Sequence, residues 1–98
     1  MYIVREIFQL KFGQYRQAKA LIDEGQQKGM FPDGKSKRIL TDFTGASYRL
    51  ILEEGYDTLA DFEANLKREM TGPDWKDWYA RFQQCIESSQ REILKQVG

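Results

Sequence analysis

Arg5, Arg49 and Glu53 are the side chains whose types and spacing best suit a polar binding site in this sequence. They sit in the alternating runs Ile3-Val4-Arg5-Glu6-Ile7 and Arg49-Leu50-Ile51-Leu52-Glu53. Period-two alternation puts all three on one face of a sheet. Two guanidiniums and a carboxylate together could hold an anionic or polar ligand; the competing reading is an ion-pair network within one chain or between two. Arg38 and Asp42 join the group if their strand is in matching register, with Ile39 and Phe43 then pointing the other way.

Other chemistry is sparse. Histidine is absent, which removes the usual general base, the proximal haem ligand and the commonest zinc ligand. Cys85 lies on an apolar helical stripe and reads as a buried thiol, because nothing near it in sequence would activate it. The four serines form neither a Gly-x-Ser-x-Gly elbow nor a Ser-x-x-Lys pair. Phosphate-loop glycines and an EF-hand array are missing too. Asp23-Glu24 and Glu53-Glu54 are adjacent in sequence, so neither pair converges on one side of its element. No metal and no cofactor are expected, and no catalytic set is legible. Trp75, Trp78, Tyr79 and Phe82 could wall a flat ligand, although their helical spacing makes core packing the simpler reading.

Fifteen basic residues balance fifteen acidic ones, so no long-range field draws in nucleic acid or an acidic membrane. No apolar run approaches the roughly 18 residues of a membrane span. Met1-Tyr2-Ile3-Val4-Arg5 enters a strand pattern at once, without the basic and apolar regions of a signal peptide. One cysteine cannot close an internal disulfide. Cytoplasmic residence is the expectation.

The elements that must position the polar group are strands at 2–11, 37–44, 47–54 and 91–97, with helical stripes at 14–29, 58–70 and 74–86. Pro32-Asp33-Gly34 fits a type I turn, and Gly45-Ala46 a short hairpin link. Thr58 caps the second helix with Asp61 three residues on. Gly72-Pro73 separates the second and third helices. Ser88-Ser89 ends the third, though residues 84–96 also read as a helical continuation. The order βαββαβ predicts a single ferredoxin-like α+β domain over residues 1–98: a four-stranded antiparallel sheet, helices on one face, strands one and three central.

Tyr2, Val4, Phe8 and Leu10, with Tyr48, Leu50 and Leu52, are then expected on the helix side. Ile3, Ile7 and Ile51 fall on the open face beside Arg5, Arg49 and Glu53. Such an apolar patch is rarely left open on a monomer. Covering it with a second copy gains roughly 25 cal/mol per Å², so a homodimer with sheets face to face is expected, the alternative being a monomer with a mixed open face. The same strand order occurs in RNA recognition motifs, which carry stacking aromatics on the open face. Strand three here offers only Tyr48, on the helix side, and Lys35, Lys37 and Arg38 make a short basic cluster; no nucleic-acid partner is expected.

The run Val4-Arg5-Glu6-Ile7-Phe8-Gln9-Leu10-Lys11-Phe12-Gly13 resembles the first strand and turn of NIPSNAP-like proteins. Leu40-Thr41-Asp42-Phe43-Thr44-Gly45 resembles their second strand and hairpin, and Ser47–Glu54, Thr58–Met70, Trp75-Lys76-Asp77-Trp78-Tyr79 and Arg91-Glu92-Ile93-Leu94 continue the likeness. The resemblance implies the dimeric α/β-barrel superfamily and its face-to-face dimer. Many members of that superfamily have no assigned function. Those that degrade haem or dismutate chlorite rely on histidine, which is absent here. Its cofactor-free quinol and antibiotic monooxygenases use a polar pocket between sheet and helices to deprotonate an aromatic substrate. The implied protein is a small homodimer that binds a small organic molecule or acts as a cofactor-free monooxygenase-like enzyme; the alternative is a non-enzymatic dimerisation or interaction module without a ligand.

Overall fold

The structure, a computed structural model, describes residues 1–31 and 34–98. Its elements run β1 (Tyr2–Leu10), α1 (Tyr15–Gln27), β2 (Ser36–Thr41), β3 (Arg49–Tyr56), α2 (Leu59–Met70), α3 (Trp75–Gln83) and β4 (Ile86–Lys95). The strands form one antiparallel sheet in the order β2-β3-β1-β4. Strands one and three are central, as the element order predicts, and the fold is ferredoxin-like α+β. Of the expected type I turn, Pro32 and Asp33 lie outside the described residues.

Apolar residues from alternate strand positions meet the helices in one cluster. Leu10 and Leu50 pack there with Ala18 and Ile22 of α1 and with Trp78, Phe82 and Cys85. Phe82 is fully buried, its ring stacked 4.9 Å from Trp78 and edge-on to Phe8 at 4.9 Å. Trp78 Nε1 donates to the Leu21 carbonyl at 2.7 Å, which satisfies the one polar atom the indole takes inside. Burial pushes the Cys85 thiol above its ordinary value. Thr58 caps α2 as expected, its hydroxyl accepting from the Asp61 N–H at 3.1 Å.

Three local expectations are corrected. The helical stripe at 74–86 is shorter, ending at Gln83, and the last strand begins at Ile86 rather than at 91. Ser88 and Ser89 pair with Gln9 and Phe8 of β1, because a central strand offers a ladder that outweighs the weak strand preference of serine. The hairpin link is not a tight Gly45-Ala46 turn; residues 42–48 loop out between Thr41 and Arg49. Asp42 folds back to accept from the Arg49 N–H at 3.3 Å, while Gly45 at φ 115° and Tyr48 at φ 64° reverse the chain. Phe43 is therefore fully exposed on that loop instead of pointing to the helix side, whereas Ile39 does pack against the core. Finally, Leu59 and Met70 of the expected α2 stripe are exposed, and Asn65 is buried.

Candidate functional site

The open sheet face carries Arg5, Glu53 and Arg49, and the register shows which of them meet. Arg38, Glu53, Arg5 and Glu92 stand side by side on β2, β3, β1 and β4. They form one lateral rung of alternating charge. Arg5 Nε donates to Glu53 Oε2 at 2.8 Å and Arg38 Nε to Glu53 Oε1 at 3.0 Å, with Arg5 4.0 Å from Glu92. Glu53 is only 4% exposed. Its hydrogen bonds from Arg5 and then Arg38 hold its carboxyl below the usual carboxylate range. Arg49 is not part of this rung. It pairs instead with Asp42, at 2.8 Å from Nη2 to Oδ1, which lowers the Asp42 carboxyl and raises the Arg49 guanidinium. The next rung places the apolar Leu40, Ile51 and Ile7 side by side, with the polar Gln90 at its β4 end.

A second group lies on the opposite face, where the sequence reading placed only apolar strand residues. Between the sheet and α2–α3 is a cavity of about 310 Å³. Trp75, Trp78, Tyr79 and Phe82 all lie along it, so the aromatic stripe of α3 serves both core and cavity wall. Trp75 stacks on Tyr79 at 5.3 Å and 20°. Phe62 and Leu66 of α2 close the other side.

Polar side chains enter this cavity from every side: Glu6 on β1, Glu54 and Tyr56 on β3, Arg91 on β4 and Glu69 on α2. Arg91 stands opposite Glu6 in the β1–β4 register and donates to it, Nε to Oε1, at 2.5 Å. The Tyr56 hydroxyl donates to Glu54, and burial followed by that bond raises the phenol above its ordinary value. Lys37 faces Glu54 across the β2–β3 register and lies 5.6 Å from the Phe31 ring. Burial pushes the Glu69 carboxyl up to about 7, the Glu54 and Glu6 carboxylates add to the rise, and Arg91 and Lys37 oppose it.

Glu69 and Trp75 also line a second groove of about 330 Å³, together with Lys28, Arg68 and Asp74. The carboxyl thus stands between the aromatic cavity and a polar groove on the outer side. Among the described residues, no three acid or thiol side chains converge closely enough to hold a metal ion.

Sequence reasoning overlooked Glu6, Glu54, Tyr56, Glu69 and Arg91. The signal was present: Glu6 shares the parity of Val4 and Phe8, and Glu69 stands seven residues after Phe62 and three after Leu66, on the same helical stripe.

No family model matches the sequence, and no curated protein matches it significantly. Solved structures do share the fold. A NIPSNAP family protein from Agrobacterium tumefaciens superposes with a TM-score of 0.87 at 20% identity, over 98% of this chain and 85% of that one. A NIPSNAP-like domain protein from Burkholderia xenovorans gives 0.87 at 15% identity, over 98% and 84%. An antibiotic biosynthesis monooxygenase-like protein from Nitrosomonas europaea gives 0.74 at 18% identity, over the full length of both chains. The first two carry the family name that the strand and turn runs of the sequence resemble. What they share with this chain at such identities is the fold.

Proposed function

We propose that the protein binds a small, flat organic molecule in the cavity between the sheet and α2–α3, with Glu69 meeting the polar end of that molecule. The observation that carries this reading is a carboxyl held near neutrality on the wall of an aromatic cavity. A volume of about 310 Å³ lies at the small end of the ligand-pocket range. Flat walls of indole, phenol and phenyl rings suit a planar ligand.

The same carboxyl supports a second, enzymatic reading. A group titrating near 7 is matched to proton abstraction at neutral pH. Removing the proton of an enol or phenol leaves an electron-rich anion that can pass electrons to dioxygen directly. Oxidation of a ring CH2 to C=O in this way uses one dioxygen and releases one water, without a metal or an external reductant. The monooxygenase-like neighbours of the fold favour this chemistry.

We further propose that two copies associate through the open sheet face. Ile7, Ile51 and Leu40 supply an apolar rung for that contact, and Arg5, Arg49 and Glu53 line the lumen beside it. Their partners within one chain let the face be covered without stranding a charge. The single thiol, Cys85, is buried, which fits a cytoplasmic, reducing setting.

Calorimetric titration with 2-naphthol tests the site. Binding by the native chain and its loss in Leu66→Trp, which fills the cavity, is expected. Equal binding by the two proteins would remove the cavity from the proposal.

A further inference from the structure

Among the described residues, three acids and two bases act on this cavity. Glu6, Glu54 and Glu69 act on it from β1, β3 and α2; Arg91 and Lys37 are the cations that act on Glu69 from the sheet. Arg91 is committed to Glu6 by a 2.5 Å bond, and its guanidinium also lies over the Phe62 ring at 5.2 Å. Lys37 faces Glu54 in the register. On α2 itself the nearest base, Arg68, donates to Asn65. From α3 the groups beside Glu69 are aromatic: Trp75, which shares both of its cavities, and Tyr79, stacked on Trp75.

Glu69 therefore lies on an aromatic wall where Arg91 is bonded to Glu6 and Lys37 stands opposite Glu54, and burial with the two acids outweighs the pull of both cations. A carboxylate in a half-buried site is stabilised most by a cation brought to it. The indole and phenol faces add cation–π attraction for the same charge. A carboxylate ligand would instead add a fourth acid to three. We infer that the ligand of this cavity is a flat aromatic molecule carrying a protonated amine, with the ammonium on Glu69 and the ring along Trp75, Trp78 and Tyr79. The inference rests on the cavity being the binding site, as proposed above. It also chooses between the two readings there, because an ammonium keeps Glu69 ionised and makes it an anchor, not a base for a hydroxyl.

Binding should be coupled to protons. Glu69 is part-protonated near neutral pH, so seating an ammonium releases the proton it holds. The position of Glu69 against the outer groove of Lys28, Arg68 and Asp74 gives that proton a way out.

Three bicyclic probes of similar size decide the matter: 1-naphthylmethylammonium, 2-naphthol and 2-naphthoate, titrated calorimetrically near neutral pH in two buffers of different ionisation enthalpy. The ammonium should bind about tenfold or more tighter than the naphthol, the naphthoate should not bind, and only the ammonium should release protons. Glu69→Gln should lose the preference, and Glu69→Asp should keep it, with both variants checked for native melting. Equal binding of ammonium and naphthol, or a preference that survives Glu69→Gln, would overturn the amine inference and leave the cavity reading standing. If no probe binds, or binding persists in Leu66→Trp, the cavity reading falls and takes this inference with it.

Discussion

Arg91 donates to Glu6 across the β1–β4 register at 2.5 Å, on the helix side of the sheet. This pairing settles the electrostatics of the cavity. The guanidinium of Arg91 is held by a strand carboxylate, and at the helix carboxylate, Glu69, burial and the acidic neighbours outweigh the opposing pull of Arg91 and Lys37.

Glu69 should make stability fall as pH rises. Its folded value of about 7 lies above the ordinary 4.5, so between those limits the folded chain keeps a proton that the unfolded chain has lost. Stability is full below 4.5, declines up to about 7 and is constant beyond. The displacement caps the effect at about 3 kcal/mol. Glu69 keeps some contact with solvent, and screening brings the expected decline to about 1–2 kcal/mol. Urea unfolding across this window should show the decline in the native chain and not in Glu69→Gln. The same slope in both would exclude Glu69 as its source.

Glu53 should act in the opposite sense. Its carboxyl is lowered in the fold, so its contribution is present above the ordinary 4.5 and is lost as pH falls further. Glu53→Gln is expected to cost about 1–3 kcal/mol at neutral pH and progressively less in acid. A cost that does not change with pH would mean that the Arg5–Glu53–Arg38 rung contributes shape, not charge.

Ile51→Asp tests the open face. If that face is covered by a second copy, the substitution buries an unpaired charge beside Ile7 and Leu40. Light scattering should give a mass near twice 11.5 kDa for the native chain and a monomer or insoluble protein for the variant. A variant that remains a soluble dimer would put the interface elsewhere.

Gly25→Ala tests how tightly α1 approaches the core. A Cβ there would lie 2.5 Å from the Phe31 ring, and Phe31 is buried against Trp78. Overpacking of this kind costs about 1–3 kcal/mol. The melting temperature should drop, and ligand binding should weaken with it because Phe31 also lines the cavity. An unchanged melt would show that the ring can move aside.

Much of the fold was legible because alternation is a local property. Val4, Phe8, Leu10 and Leu50 announced the buried face, and the order of patterns allowed few topologies. The Arg5–Glu53 pair was legible for the same reason, since parity alone puts both side chains on the open face. The boundary of β4 was not legible. Whether Ser88 and Ser89 end a helix or join a strand depends on β1, some eighty residues earlier in the chain.

The sequence by itself determined the element order, the central strands and the faces on which the residues of β1 and β3 stand, because all three follow from chain geometry and the period of apolar side chains. Only the tertiary structure decided which polar residues meet. Glu6, Glu54, Tyr56, Glu69 and Arg91 come from four separate elements, and each alone reads as an ordinary surface residue. Folding places Glu69 over a sheet in which Arg91 is paired with Glu6. A carboxyl near neutrality on an aromatic wall is the product of that packing, since burial and unpaired charge belong to the arrangement and to no single residue.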